Sequence, residues 1–129
     1  MKVVFKVGDK RQYRVQVTAQ DCATFHGQQV HPVYATFALA RDFEWTSRLF
    51  FLEMKEADEE GVGTLLTIEH KSMAFVGDEV VLTATVESIL NNELICSIEA
   101  TCGTRLIATG KTGQKMLKQE KLQRLYSTK

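Results

Sequence analysis

The sequence predicts an α+β fold in which an antiparallel sheet of about five strands wraps around one long central helix. Three observations predict it: an alternating strand near the N-terminus, one long apolar run without Gly or Pro, and several later segments rich in β-branched residues. A single apolar helix and a single sheet bury their apolar surfaces most simply when the sheet covers the helix.

The N-terminal part of the chain begins with a predicted strand. Residues 11–17 alternate between polar and apolar side chains, which is typical of a half-buried strand. Thr18 is then placed to cap a short helix that ends near Phe25, and Asp21 complements the positive end of that helix. Residues 27–32 contain a glycine and the only proline of the chain, so we predict a loop there.

The central helix is predicted over residues 36–55. Neither Gly nor Pro interrupts this run, and its apolar residues are distributed around most of the helix circumference. Such a helix is mostly surrounded by protein. Residues 56–60 are mostly acidic and precede Gly61, which predicts that the helix ends here and that the chain turns.

The C-terminal half is predicted to form most of the sheet. Turn residues separate β-branched-rich segments that we interpret as antiparallel strands, namely residues 63–69, 79–87, 93–102 and 105–110. Residues 115–129 are expected to be either a docked terminal helix or a basic tail. The whole chain, residues 1–129, is predicted to be one domain. A sheet wrapped around one helix is the hotdog architecture, and its open edges favour pairing with a second copy as a homodimer.

Composition narrows the expected partners and location. Sixteen basic and sixteen acidic side chains give a formal net charge of zero, so we expect neither nucleic acid nor a membrane as a partner. No export signal is visible, and no segment reaches the roughly 18 apolar residues that span a bilayer. We therefore expect a cytoplasmic protein in which the cysteines are buried or half-buried thiols. These cysteines are Cys22, Cys96 and Cys102.

Several short fragments, taken in their order and spacing, carry a family resemblance. They are residues 17–21, residues 32–36, Glu44, the pair Glu69-His70 and residues 76–80. Together they resemble the hotdog thioesterases, in the branch typified by fluoroacetyl-CoA thioesterase, over nearly the whole chain. The resemblance implies hydrolysis of an acyl thioester at a homodimer interface, with a small or medium acyl-CoA as the substrate.

The resemblance also implies which residues form the site. Thr36 at the start of the central helix, Glu44 later in that helix, and His70 after the next strand are the implied catalytic set. Gly63, in the strand before the histidine, is the implied contact of the acyl group. No cofactor is expected, because coenzyme A is part of the substrate.

The chemistry of these residue types agrees with such a site. Thioester cleavage requires an attacking oxygen, a group that moves protons and a donor to the developing oxyanion. Glu44 is suited to act either as the nucleophile or as the base that activates water, and its neighbours Phe43 and Trp45 favour its burial. His70 is suited to proton transfer near neutral pH, and Thr36 to donating a hydrogen bond to the thioester oxygen.

Each candidate also has a purely structural interpretation. Thr36 is an acceptable helix cap, and an exposed histidine such as His70 is ordinary at a strand end. Glu44 stands three and four positions from Arg41 and Arg48, a spacing that favours a surface ion pair on a helix.

The function has alternatives as well. The hotdog fold also supports acyl-thioester hydratases and dehydratases, and a non-catalytic acyl-CoA-binding protein is a different class again. Release of free thiol distinguishes hydrolysis from all of them. No metal site is predicted, since no Cys, Asp or Glu stands at metal-ligand spacing beside His26 or His31, which we interpret as surface residues.

Overall fold

The structure is one long helix packed against a five-stranded antiparallel sheet, which confirms the predicted hotdog fold. This computed structural model describes residues 1–128, and the side chains of all of these except residues 24, 29 and 30. The elements in chain order are β1 (Lys10–Gln16), a one-turn 3-10 helix (Ala19–Asp21), β2 (Cys22–Phe25), β3 (Gln28–Tyr34), α1 (Thr36–Met54), β4 (Glu59–His70), β5 (Glu79–Leu90), β6 (Glu93–Cys102), β7 (Arg105–Lys118) and α2 (Gln119–Tyr126).

The main sheet has the strand order β1-β5-β6-β7-β4, and every neighbouring pair is antiparallel. One face of this sheet covers α1, which packs against all five of its strands. Phe43 and Phe50 of α1 belong to the same buried core cluster as Leu82 and Ile98 of the sheet. Burial of a side chain of this size stabilises a fold by about 1.5 to 3 kcal/mol. The contact between helix and sheet therefore fixes the position of α1.

The segment between β1 and α1 differs from the prediction. The short helix is a single turn that ends at Asp21, and the residues predicted to complete it form β2 instead. The predicted loop over residues 27–32 is also wrong, because most of that segment belongs to β3. β2 and β3 form a separate two-stranded sheet around a turn in which His26 and Gly27 have positive φ, at 54° and 78°. Two successive residues with positive φ make the tight turn of a hairpin.

Three strands of the main sheet are longer than predicted, and one of them, β5, continues to Leu90 instead of ending at residue 87. β4 begins at Glu59, inside the acidic segment predicted to be a turn, and β7 continues to Lys118 instead of ending at residue 110. The chain then forms α2, on which Leu122 is buried, so the docked-helix alternative is the correct one for the described residues. Residue 129, the last residue of the segment predicted over residues 115–129, lies outside the described residues. Within residues 1–128, neither helix is long and apolar enough to cross a membrane.

The cysteines occupy the predicted environments. Cys22 and Cys96 are buried, and Cys102 is half-buried. Burial, with a further contribution from the nearby Glu87 carboxylate, raises the pKa of the Cys96 thiol to about 12. A thiol with so high a pKa stays protonated and unreactive at neutral pH.

β4 is an edge strand of the main sheet. In the described part of the chain it pairs with β7 alone, so the backbone groups along its other edge face no partner strand. Val62, Leu65 and Leu66 on this strand are 37%, 40% and 40% exposed. An open edge that carries apolar side chains is a typical site of pairing between chains.

Candidate active site

Thr36 and His70 form a pair at one end of α1 and β4. Thr36 is the first residue of the helix, and His70 is the last residue of the strand. Thr36 Oγ1 and His70 Nε2 share a hydrogen bond of 2.9 Å. The N-cap position belongs to Ala35, and the described residues provide no side-chain cap at this helix end. Thr36 therefore contacts the histidine instead of capping the helix, and the exposed His70 is held in place by this bond.

Glu44 lies further along α1, with its carboxylate toward Gly63 of β4. A Cβ atom added at Gly63 would lie 3.7 Å from Glu44 Oε1. Arg41 and Arg48 both pair with other carboxylates, at 2.9 Å each, and within residues 1–128 the Glu44 carboxylate forms no hydrogen bond or ion pair. The ion-pair interpretation of Glu44 is therefore wrong. Its expected burial is also wrong for the single chain, where the side chain is exposed.

The four candidate residues lie in two separate clefts. Glu44 and Gly63 line a cleft of about 290 Å³ between α1 and the part of the sheet formed by β4 and β7. Thr36 and His70 line a cleft of about 370 Å³, whose other walls come from β2, β3 and the segment after β4. Eight residues of helix separate Thr36 from Glu44 by about 12 Å along the axis. The structure therefore brings the candidates together as two pairs, and not as one group of four.

A β-bulge in β4 places Gly63 and His70 on the same face of the sheet. Residues that are an odd number of positions apart in a regular strand point to opposite faces. In β4, however, Gly63 and Leu65 pair with consecutive residues of β7, so Thr64 is an extra residue in the ladder. The bulge shifts the alternation by one position. Both Gly63 and His70 therefore belong to the face that covers α1.

Comparison with known protein families decides the class of this protein. The family model described as fluoroacetyl-CoA-specific thioesterase matches residues 17–120, which include all four candidate residues. The chain belongs to this thioesterase family. The predicted resemblance and the predicted enzyme class, a thioesterase, are thereby confirmed.

Solved structures of similar proteins share the fold of this thioesterase. A hypothetical protein of Thermus thermophilus, a thioesterase superfamily member, has a TM-score of 0.90 and 29% identity, with 95% of this chain and 91% of that chain covered. The fluoroacetyl-CoA thioesterase FlK has a TM-score of 0.88 and 20% identity, with 97% of each chain covered. A hot-dog-like protein from Thermanaerovibrio acidaminovorans has a TM-score of 0.86 and 20% identity, with 96% and 93% covered. Among curated proteins, no match to the chain is found.

Two polar residues of β7, Thr112 and Gln114, line the Glu44 cleft of the thioesterase and are not predicted from the sequence. Gln114 Nε2 donates a hydrogen bond of 2.8 Å to Ser47 Oγ and so ties β7 to α1 close to Glu44. Thr112 lines the same cleft two positions earlier in the strand. The predicted strand ends at residue 110, so the prediction excludes both residues from the sheet. Both residues would be found if the alternation of side chains between the two faces of the strand were continued past Gly110.

A charged cluster lies between the two clefts of the thioesterase. Arg41 lines the Glu44 cleft, and Tyr34 lines the other. The Arg41 guanidinium donates to Asp21 at 2.9 Å and to Asp42 at 3.0 Å. The Tyr34 hydroxyl also donates to Asp42. Burial favours a raised pKa for Asp21, but hydrogen bonds from the Thr18 amide, the Arg41 guanidinium and the Thr18 hydroxyl outweigh it, so the pKa is lowered.

We expect Asp21→Asn to destabilise the thioesterase in a pH-dependent way. A hydrogen bond to a buried charged group contributes about 1 to 3 kcal/mol, so the variant should lose that much free energy of unfolding at neutral pH. Because the pKa of Asp21 is lowered by folding, its contribution is present above the unfolded value of about 3.9 and is lost as the pH falls through the folded value. Urea unfolding of both proteins at neutral and at acidic pH measures the difference, which should shrink in acid.

The matched control for this prediction is Asp58→Asn. Asp58 pairs with Lys118 at 3.1 Å on the surface, where ion pairs contribute little. We expect its effect on stability to be smaller than that of Asp21→Asn. A loss for Asp21→Asn that is equal at neutral and acidic pH would contradict the assignment of a charged Asp21 to this cluster.

Proposed function

We propose that this thioesterase hydrolyses a small or medium acyl-CoA at composite sites, each built from two copies of the chain. Glu44 and Gly63 of a site come from one copy, and Thr36 and His70 come from the other. The observation that carries this proposal is the separation of the two pairs along the open edge strand β4. Mutants of FlK form complexes with acetyl-CoA and with fluoroacetate and CoA, which supports acyl-CoA as the class of substrate.

Pairing of β4 with β4 of a second copy joins the two halves of a site. Two identical strand edges pair antiparallel about a two-fold axis, because both copies use the same surface. We place the two-fold axis at Thr67, so that residues equally far from Thr67 on either side lie opposite each other in the two copies. Thr64 is the extra residue of the bulge and does not count as a step. Gly63 and His70 are therefore equally far from Thr67, and Gly63 lies opposite His70 of the second copy. The same axis places Leu66 opposite Ile68 of the second copy. Two identical junctions result, each with a carboxylate on one side and the hydroxyl–imidazole pair on the other.

The surface exposed in the single chain supports this pairing. Val62 and Leu66 on β4 are exposed, and so is Trp45, which lines the Glu44 cleft at 40% exposure. Each square ångström of apolar surface withdrawn from water contributes about 25 cal/mol. A second copy across β4 would also cover Glu44 and so limit the access of bulk water to the reacting groups.

In this arrangement each group has a defined task. Glu44 delivers oxygen to the acyl carbon, either by its own attack or through a water molecule that it deprotonates. The thioester oxygen gains negative charge, and the Thr36 hydroxyl and the first amides of α1, which have no partner within a helix, stabilise it. His70, hydrogen-bonded to Thr36, transfers a proton to the departing sulfur. When Glu44 itself attacks, the thiol leaves first, and a water molecule then cleaves the resulting acyl-glutamate anhydride and regenerates the carboxylate. On either route the products are the free acid and the thiol of coenzyme A.

Release of free thiol from a panel of acyl-CoA esters of increasing chain length tests the activity. We expect the purified chain to release thiol from the small and medium members of the panel. A hydratase or dehydratase would add or remove water at the acyl chain and leave the thioester intact. A non-catalytic binding protein would return every ester unchanged, and either result would contradict the proposal.

We expect two inactive variants to restore activity when they are combined. Glu44→Gln damages one half of each composite site and His70→Ala the other, so dimers of either variant alone have no intact site. After joint unfolding and refolding, about half of the dimers are mixed, and each mixed dimer has one intact site of its two. Thiol release should therefore recover to about a quarter of the wild-type level.

The matched control combines Thr36→Ala with His70→Ala, two changes in the same half of the site. No exchange of copies between these variants creates an intact site, so activity should stay at the level of the unmixed proteins. Native mass spectrometry shows whether mixed dimers have formed. If mixed dimers of Glu44→Gln and His70→Ala are present but inactive, the composite site is excluded.

A further inference from the structure

Thr112 of β7 carries a buried hydroxyl for which the described residues provide no hydrogen-bond partner. The residue is 1% exposed. Among the described residues, Thr112 Oγ1 is the one buried side-chain oxygen or nitrogen without a hydrogen-bond partner. Burial of a hydroxyl without a hydrogen bond is unfavourable, and native proteins rarely retain such a group without a use.

The Thr112 side chain belongs to the face of β7 that borders the Glu44 cleft. Gln114, two positions later, directs its side chain to Ser47 of α1. Residues two positions apart in a strand point to the same face, so Thr112 also points toward the helix. Thr112 lines the cleft together with Glu44, and it is buried whereas Glu44 is exposed. Thr112 therefore lies at the floor of the cleft and Glu44 at its rim.

The distance between floor and rim fits a short acyl group. Thr112 and Gln114 are about 7 Å apart along β7, since each residue of a strand advances by about 3.4 Å. Gln114 stands at the level of Gly63, its partner in the sheet and the neighbour of the Glu44 carboxylate. An acyl carbon beside Glu44, followed by one or two further carbons and a hydrogen bond of about 2.8 Å, covers that distance.

We propose that Thr112 is a specificity residue whose hydroxyl donates a hydrogen bond to an acceptor atom on the acyl group. The proposal rests on the proposed function, because that function places the reacting carbon beside Glu44. The preferred acyl groups carry a hydroxyl or keto oxygen on the second or third carbon. An unsubstituted chain leaves the Thr112 hydroxyl unpaired, and a site built to hydrogen-bond its substrate discriminates against an analogue that lacks the polar group.

The test measures binding in the Glu44→Gln background, where the ester remains intact. Calorimetry compares lactoyl-CoA with propanoyl-CoA, and beta-hydroxybutanoyl-CoA with butanoyl-CoA. We expect Glu44→Gln to bind the hydroxylated member of at least one pair about tenfold or more tightly. The Glu44→Gln/Thr112→Val double variant, which keeps the shape and loses the hydroxyl, should lose that preference. Thr112→Ser in the same background should retain it.

Stability and a second threonine serve as controls. Thr112→Val removes an unpaired buried hydroxyl, so its melting temperature should be equal to or above that of its parent. Thr109→Val changes a half-buried threonine of the same strand outside the cleft, and it should leave the preference unchanged.

The outcomes separate this inference from the proposed function. No preference in Glu44→Gln, or a preference that survives Thr112→Val, would overturn the role of Thr112. The role would also be overturned if Thr112→Val weakened the binding of both members of a pair equally. A Thr112 hydroxyl that holds only a water molecule would affect the binding of every substrate alike. Thiol release by the wild-type chain tests the proposed function alone, and it can succeed or fail whichever way the binding preference turns out.

Discussion

Glu44→Gln should reduce thiol release at least about a hundredfold, because general acid–base groups contribute on this scale and an amide has neither the basicity nor the nucleophilicity of a carboxylate. The variant should fold normally. Within residues 1–128 the Glu44 carboxylate makes no hydrogen bond or ion pair that the amide could break. A change at such a position usually alters the free energy of unfolding by no more than about 0.5 kcal/mol. Thiol release and thermal unfolding, measured on the same sample, check both parts.

Glu53→Gln is the matched control for this prediction. Glu53 belongs to the same helix, is exposed, and pairs with Arg11 at 3.0 Å, away from both clefts. Loss of the Glu53 carboxylate in this variant should leave thiol release unchanged. Wild-type turnover in Glu44→Gln, with normal unfolding and an unchanged assembly, would remove Glu44 from the chemistry.

A helix or strand could be predicted from the sequence where its buried residues recur with a regular spacing along its whole length. The helix predicted over residues 36–55 is observed as Thr36–Met54, because the apolar residues on one of its faces are buried against the sheet. The expectation that protein mostly surrounds this helix is wrong for the single chain, where Phe37, Trp45 and Leu52 are exposed. The strand predicted over residues 93–102 is observed as Glu93–Cys102, with alternating buried and half-exposed positions. In both cases the local pattern and the tertiary environment favour the same structure.

One glycine, Gly110, explains why the sequence predicts too short a β7. The sequence predicts that a strand ends at Gly110, yet β7 runs through this residue to Lys118. A Cβ atom at Gly110 would lie 1.8 Å from the backbone oxygen of Thr67 and 2.9 Å from the Phe43 ring. Glycine is therefore required where β4, β7 and α1 approach most closely. A single sequence does not distinguish such a packing glycine from a turn glycine.

For the site, the sequence indicated residue types but not their arrangement. The resemblance indicates Thr36 and His70 as site residues. The contact between them joins residues far apart in the chain, so no local pattern predicts it. The bulge at Thr64, which brings Gly63 to the same face as His70, is also a property of the paired strands. The unpaired hydroxyl of Thr112 is apparent only when every neighbour of that residue is known.

A charge at the centre of β4 should separate the two copies that the composite site requires. In the proposed pairing, Leu66 packs beside Ile68 of the second copy, and the two-fold axis repeats this contact. An aspartate at position 66 would bury two unpaired carboxylates, at a cost of several kcal/mol each. In the single chain Leu66 is 40% exposed, so the isolated fold should accept Leu66→Asp. We expect light scattering to give about twice 14.6 kDa for the wild-type chain and close to 14.6 kDa for the variant.

Activity should disappear together with the dimer, although Leu66→Asp leaves Thr36, Glu44 and His70 in place. Leu90→Asp is the matched control, because Leu90 is 67% exposed at the end of β5 and does not belong to the β4 edge. It should remain dimeric and active. A Leu66→Asp protein that is still dimeric would show that the copies associate through another surface. Each monomer has Glu44 in one cleft and His70 in the other, so the proposal predicts an inactive monomer. A monomeric Leu66→Asp protein with full activity would therefore contradict the composite site.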